Sequence, residues 1–177
     1  LDEEHFARAL SPAQETAPEL AFRKGPVLGY IGAVDERIDF ELLSHICGQR
    51  PDWRIVLAGP VLARPESLPP NLDLIGARSY ATLPSYLKGF DVCLLPFRQT
   101  ELVRHISPTK IPEYLAAGRP VVSTPIPDVK ASYADVVRIA GTPADFLAGC
   151  EEMILRPPAP AELAEQASRR ARTWTQI

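Results

Sequence analysis

Residues 91–123 read DVCLLPFRQTELVRHISPTKIPEYLAAGRPVVS. Asp91–Leu95 is a short, mostly apolar run halted by Pro96, residues 97–106 are a polar loop, and Ser107–Ala117 reads as a helix closed by Gly118, a residue suited to the C′ position. Pro120–Ser123 is apolar again. Strand, loop, helix and strand in this order make a βαβ unit, and a helix that carries the chain back across a sheet leaves its two strands parallel.

The same alternation continues outward. Upstream, Val27–Gly32 is an apolar run, Ile38–Cys47 places Ile38, Leu42, Leu43 and Ile46 at helical spacing, and Trp53–Ala58 is a second strand ended by Gly59-Pro60. Leu72–Ile75 is a third strand, reached through the proline-rich loop 60–71, and Tyr80–Phe90 is a short helix that Ser79 can cap. Downstream, Val136–Ile139 is a sixth strand, Ala144–Leu155 a helix, and a closing helix runs from Glu162 to about Trp174 after Pro157, Pro158 and Pro160. The expected architecture is α/β: a Rossmann-like, doubly wound, mostly parallel six-stranded sheet with helices on both faces. The reading divides the chain into a polar, proline-broken incoming linker (1–25), the domain itself (26–160) and a C-terminal helix (161–177). In such sheets ligands sit outside the carboxyl ends of the strands.

Composition narrows the function. The chain has 177 residues, 46% hydrophobic and 23% charged, and its 19 Lys and Arg against 22 Asp and Glu give a net charge of −3. That balance lacks the basic excess that phosphate backbones demand, so no nucleic-acid partner is expected. No apolar run approaches the ~20 residues of a membrane span and no export signal opens the chain, so a cytoplasmic protein without membrane contact in this part is expected. Cys47, Cys93 and Cys150 are far apart among apolar neighbours and read as reduced core residues. His5, His45 and His105 are equally scattered and no Asp-x-Asp is present, so neither a metal nor a cofactor is expected. The 19 prolines, about twice the usual share, punctuate the loops.

Chemistry concentrates at 104–118. With Ser107 as N-cap and Pro108 at N1, Lys110 falls at N3, where a helix built for stability alone would carry Glu. Lys110, with Arg104 and His105 just upstream, gathers positive charge at an already electropositive helix end, and a bound phosphate would balance it. The competing reading is a surface Lys110–Glu113 pair at i,i+3, worth a few tenths of a kcal/mol. In this register Pro112 sits at N5, where it removes one helical hydrogen bond and distorts the first turn. Glu113, one turn on from Lys110, is placed to accept both hydroxyls of a ribose or to be a plain surface carboxylate.

Ser107–Thr124 (SPTKIPEYLAAGRPVVST), preceded by DVCLLPF at 91–97, resembles the donor-binding half of GT-B glycosyltransferases of the large retaining group 1 (family four) class. The resemblance covers nearly the whole chain, with Leu1–Phe6 similar to the linker from an N-terminal domain that this chain lacks and Gly29–Ala33 similar to the first strand and glycine turn. It implies a hexose transferred from a nucleotide-diphosphate sugar, UDP- or GDP-linked, to an acceptor in polysaccharide or glycoconjugate synthesis, by a metal-independent enzyme of which this chain is an inactive half. Glu113 matches the second Glu of the family's Glu-x7-Glu signature, which holds the donor ribose, while the first Glu falls on His105. The family's diphosphate-binding Arg and Lys fall near Ala33 and Arg37, which shifts that role to Lys110, assisted by Arg104 and Arg37. Lys110, Glu113 and His105 are therefore the catalytic candidates. Gly29 and Gly32 for close phosphate approach, Arg78 for base stacking, and Arg104, Ser107, Thr109 and Thr124 complete the donor site. The alternatives are a non-transferase enzyme on the same fold, such as a UDP-sugar epimerase, and a non-catalytic receiver-like α/β module, for which Asp35-Glu36 is a poor acidic cluster.

Overall fold

The computed structural model describes residues 1–174, with the side chain of the last of these excepted. Among the described residues six strands form one sheet: β1 (Val27–Ile31), β2 (Arg54–Ala58), β3 (Leu72–Gly76), β4 (Val92–Leu95), β5 (Val121–Ser123) and β6 (Arg138–Ile139). Every adjacent pair is parallel and the spatial order is β3-β2-β1-β4-β5-β6. The expected doubly wound sheet is thus present, and β1 and β4 are buried at every position, as strands covered on both faces must be.

The helices are α1 (Glu3–Ala7), α2 (Pro18–Ala21), α3 (Phe40–Gln49), α4 (Leu83–Gly89), α5 (Glu101–Arg104), α6 (Lys110–Ala116), α7 (Pro127–Tyr133), α8 (Pro143–Leu155) and α9 (Pro160–Trp174). α3 and α8 pack together against the strands, while α1, α4, α6 and α9 pack among themselves. Gly29 explains how one of these layers comes so close to β1: a Cβ there would lie 2.2 Å from the ring of Phe90, which is fully buried. α6 ends where the sequence says it should, with Gly118 at φ +68. The Gly118 N–H donates to the Leu115 carbonyl (2.8 Å) and the Arg119 N–H to the Tyr114 carbonyl (2.9 Å), the paired bonds of a Schellman closure.

Several local expectations change. Residues 1–25, read as a linker, lie folded on the domain, because Phe6, Ala9, Ala17 and Leu20 are buried in its core and outweigh the polar composition around them. The 97–106 stretch, expected as loop throughout, contains α5, where the Thr100 hydroxyl accepts the Val103 N–H and Val103 is buried. α7 escapes a proline-based reading because Pro127, taken as punctuation, occupies the first helical position and needs no N–H there. Ser79 caps no helix: its hydroxyl meets Thr82 Oγ1 at 3.3 Å, in front of a 3-10 turn over Tyr80–Thr82. The three cysteines are buried and unpaired, and burial pushes the Cys47 thiol up to about 11. Positions 175–177 of the expected final helix lie outside the described residues.

Candidate functional site

The chain travels from β1 outward to β3 and returns to β4 on the other flank of β1, so the direction of winding reverses between β1 and β4. Their register holds only at Leu28–Val92 and Gly29–Cys93. By Ile31 the strands have parted, and the Ile31 N–H donates instead to the hydroxyl of Tyr114 on α6 (3.0 Å). A crevice opens there, at the carboxyl ends of the central strands, where doubly wound sheets take their ligands. Its two loops are stitched together by Asp39 N–H to the Pro96 carbonyl (2.8 Å), Arg98 N–H to the Arg37 carbonyl (2.7 Å) and a bridge between Ile38 and Phe97. The Tyr30 hydroxyl donates to the Ala33 carbonyl (3.0 Å) and its burial pushes its pKa up to about 12, so it remains a neutral donor.

The crevice holds about 150 Å³, walled by Gly32, Ala33 and Arg37 after β1, Phe97 after β4 and the turn leading to Lys110. That turn differs from expectation. α6 begins at Lys110, not at Pro108, and neither Ser107 nor Thr109 caps it with a side chain. Pro112 supplies the reason: with Lys110 as N1 it falls at N3, among the donors that have no helical partner anyway, so no hydrogen bond is lost and no distortion is needed. Lys110 is thus a first-residue cation and Glu113 its neighbour one turn later.

Lys110 Nζ and Glu113 Oε2 are 3.1 Å apart, with side chains 29% and 18% exposed. The pair the sequence offered as an alternative to a ligand site therefore exists, and Lys110 lines the crevice as well. Glu113 faces a second, larger cavity of about 580 Å³ between α6 and α9, whose walls include Tyr133 and Arg170. Ser107, Pro108 and Thr109 line both cavities and so stand between them.

The remaining candidates separate. Gly32 lines the crevice, with φ +154, but Gly29 is in the middle of β1 beneath Phe90 and serves packing, which corrects its expected approach to phosphate. Arg104 and His105 are exposed at the end of α5; Arg104 is paired with Glu101 (2.7 Å), and neither residue lines the crevice or the larger cavity. Arg78, beyond the edge strand β3, is held by Glu19 (3.2 Å) and the Tyr86 hydroxyl (2.7 Å), its guanidinium 5.7 Å from the Tyr86 ring centre. The Tyr86 hydroxyl, together with Arg78, also holds the Glu19 carboxyl below its ordinary value. Stacking on a base would require Arg78 to leave these partners. Thr124 is 4% exposed, and both its N–H (3.0 Å) and its hydroxyl (3.3 Å) meet the Leu95 carbonyl, so it closes the end of β5.

Sequence reasoning passed over Tyr114, a core residue by spacing whose hydroxyl completes the crevice, and Asp35, judged only as an acidic-cluster member. Asp35 grips Arg37 through Nη2 (2.6 Å) and Nε (2.9 and 3.1 Å). The i,i+2 spacing of opposite charges after a strand was the available signal. Among the described residues no three His, Cys, Asp or Glu side chains gather as metal ligands, and no helix is long and apolar enough to cross a membrane.

Comparison with known proteins adds what the geometry cannot. The family described as "Glycosyl transferases group 1" matches residues 25–170. The putative teichuronic acid biosynthesis glycosyltransferase TuaH of Bacillus subtilis (strain 168) is 31% identical over 157 residues, 82% of this chain and 40% of that protein. Among solved structures, a glycosyltransferase from Rickettsia africae ESF-5 superposes with a TM-score of 0.72 at 11% identity, over 96% of this chain and 50% of that one. Sucrose-phosphate synthase from Thermosynechococcus elongatus does so with 0.69 at 17%, over 98% and 46%. HepE of Anabaena, solved in complex with UDP and glucose, gives 0.66 at 15%, over 97% and 50%. At such identities the structural likeness concerns the fold. The chain spans half or less of the length of each of these relatives.

Proposed function

The chain belongs to the group 1 glycosyl transferases, and on that premise we propose that it is the half that binds the donor, a nucleoside diphosphate sugar. The observation that carries the reading is the Lys110 ammonium at the wall of the crevice between β1 and β4. Departure of the nucleoside diphosphate builds negative charge, and a cation held in place beforehand stabilises it without reorganisation. In the free protein Glu113 neutralises Lys110. A partly exposed pair of this kind is worth at most about 1 kcal/mol, so a diphosphate can displace it, leaving the Glu113 carboxylate to accept ribose hydroxyls across the 107–109 turn.

Ser107, Thr109 and Gly32 complete the phosphate side of this donor site. Arg104, His105 and Arg78 would join only if the partner half or the ligand drew them in. The reaction we propose for the whole protein is transfer of a hexose, without a metal, to an acceptor held by an N-terminal half outside this chain. A cytoplasmic location follows from where nucleotide sugars serve as substrates. The relative named for teichuronic acid biosynthesis supports a role in polysaccharide synthesis. A receiver-like module is disfavoured by the strand order, since such domains wind 2-1-3-4-5. An epimerase is disfavoured by the family, and product analysis with labelled donor separates it from a transferase.

Calorimetric titration of the chain with UDP, GDP and ADP tests the reading. We expect one of the three to bind preferentially; no binding to any would overturn the assignment.

A further inference from the structure

Of the three cations near the crevice, Lys110 and Arg104 are paired with carboxylates on their own short helices, at i,i+3. Arg37 is different. Its partner Asp35 is only 9% exposed, and it takes the guanidinium along one edge only, the edge formed by Nε and Nη2. Asp35 Oδ1 also accepts the Arg37 backbone N–H (3.0 Å), which closes a small ring of bonds around the side chain. The guanidinium carbon lies 5.6 Å from the ring centre of Phe97, and Phe97 is itself buried and set edge-on to Tyr30 at 6.0 Å. The Arg37 carbonyl is pinned by the Arg98 N–H. Backbone, one guanidinium edge and one guanidinium face are thus fixed, while Arg37 lines the crevice with Lys110, and Asp35 does not.

We propose that Asp35 is a positioning residue whose grip on Arg37 leaves the Nη1–Nη2 edge of the guanidinium facing the crevice as a preformed, two-pronged seat for a phosphate oxygen pair. The inference rests on the donor-site reading and deepens it by naming the group that replaces the cation missing at Ala33. A guanidinium has two usable edges, and a fork held rigid along one of them loses little freedom when the other binds. The hydrogen bond from Arg37 lowers the Asp35 pKa and raises that of Arg37, so both stay charged at neutral pH. Asp35 sits behind the guanidinium, as carboxylates that orient a functional cation commonly do.

The proposal has a sign that simple charge counting does not share. Deleting a carboxylate close to an anion site should tighten anion binding if Asp35 acts only through its charge. If Asp35 acts by holding Arg37, the same deletion weakens it.

The test measures binding of UDP, GDP and inorganic pyrophosphate by calorimetry to the chain and to Asp35→Asn, Arg37→Ala, Arg37→Lys and the Asp35→Asn/Arg37→Ala pair, with thermal melts of each. Arg37→Ala should weaken the preferred nucleotide and pyrophosphate about 10- to 100-fold, the loss expected for charged hydrogen bonds. Arg37→Lys should not restore binding, because an ammonium has no second edge. Asp35→Asn should weaken binding several-fold, and should cost nothing further once Arg37 is Ala. Unchanged binding in Arg37→Ala, or tighter binding in a folded Asp35→Asn, overturns the proposal. Should Asp35→Asn fail to fold, the Ala and Lys variants at the partly exposed Arg37 decide alone. Loss of affinity in Lys110→Ala alongside wild-type affinity in Arg37→Ala rejects the Arg37 seat and keeps the donor site; a wild-type chain that binds none of the probes rejects both.

Discussion

The hydroxyl of Tyr114 accepts the backbone N–H of Ile31 at 3.0 Å, and with that one bond α6 does for β1 what β4 no longer does. The N–H would otherwise be a buried donor at the point where two strands diverge. Burial raises the Tyr114 pKa well above its ordinary value, so the group stays a neutral phenol. Helix α6 is thereby fixed against the mouth of the crevice, with Lys110 one turn before Tyr114.

Tyr114→Phe keeps the ring and removes the acceptor. We expect a loss of about 1–3 kcal/mol of stability, the cost of an unsatisfied buried donor. Denaturant unfolding checks this, and an unchanged midpoint would show that the N–H finds another partner.

Gly29→Ala places a methyl into the Phe90 ring. Overpacking of this kind typically costs about 1–3 kcal/mol, and the same denaturant measurement reports it. A variant as stable as the parent would mean that Phe90 has room to move.

Lys110→Ala and Glu113→Ala should each weaken binding of the preferred nucleoside diphosphate, by about 1–3 kcal/mol. Inorganic pyrophosphate separates their roles. It lacks a ribose, so Lys110→Ala should weaken it, whereas Glu113→Ala, which frees Lys110 from its pair, should leave it unchanged or tighter. Equal losses of pyrophosphate binding in both variants would contradict the division of labour.

Acid should destabilise the fold in part through Asp35. Its folded pKa lies below the unfolded value of about 3.9, so its contribution is complete above that value and is lost as pH falls through the lower, folded one. Stability measured from pH 5 downward should decline, and less steeply in Asp35→Asn. Parallel declines in the two proteins would show that Asp35 is not responsible.

Where sequence and structure part, the difference is one of range. Pro112 could have given the start of α6 by itself: a proline three residues into a helix costs nothing, five residues in it costs a hydrogen bond, and Ser107 drew the start too early. α7 was lost because seven residues and two buried side chains, Val129 and Tyr133, are too short a pattern to outweigh an initial proline. Phe6 and Leu20 look like isolated apolar residues in a polar stretch until the core they fill is present. Arg78 looks free to stack on a base until Glu19, 59 residues away in sequence, takes it.

The sequence alone determined the alternation of strands and helices, hence the parallel sheet and the end of it at which a ligand can sit, because apolar periodicity, Gly118 and the prolines act through neighbours along the chain. It also put Lys110 and Glu113 one turn apart on one helix. Only the tertiary structure decided that β1 and β4 part at Ile31, that Lys110 and Arg37 meet across the gap while Arg104 and His105 stay outside, and that Gly29 serves Phe90 instead of a ligand. Those outcomes depend on contacts between segments distant in sequence, which no local pattern encodes.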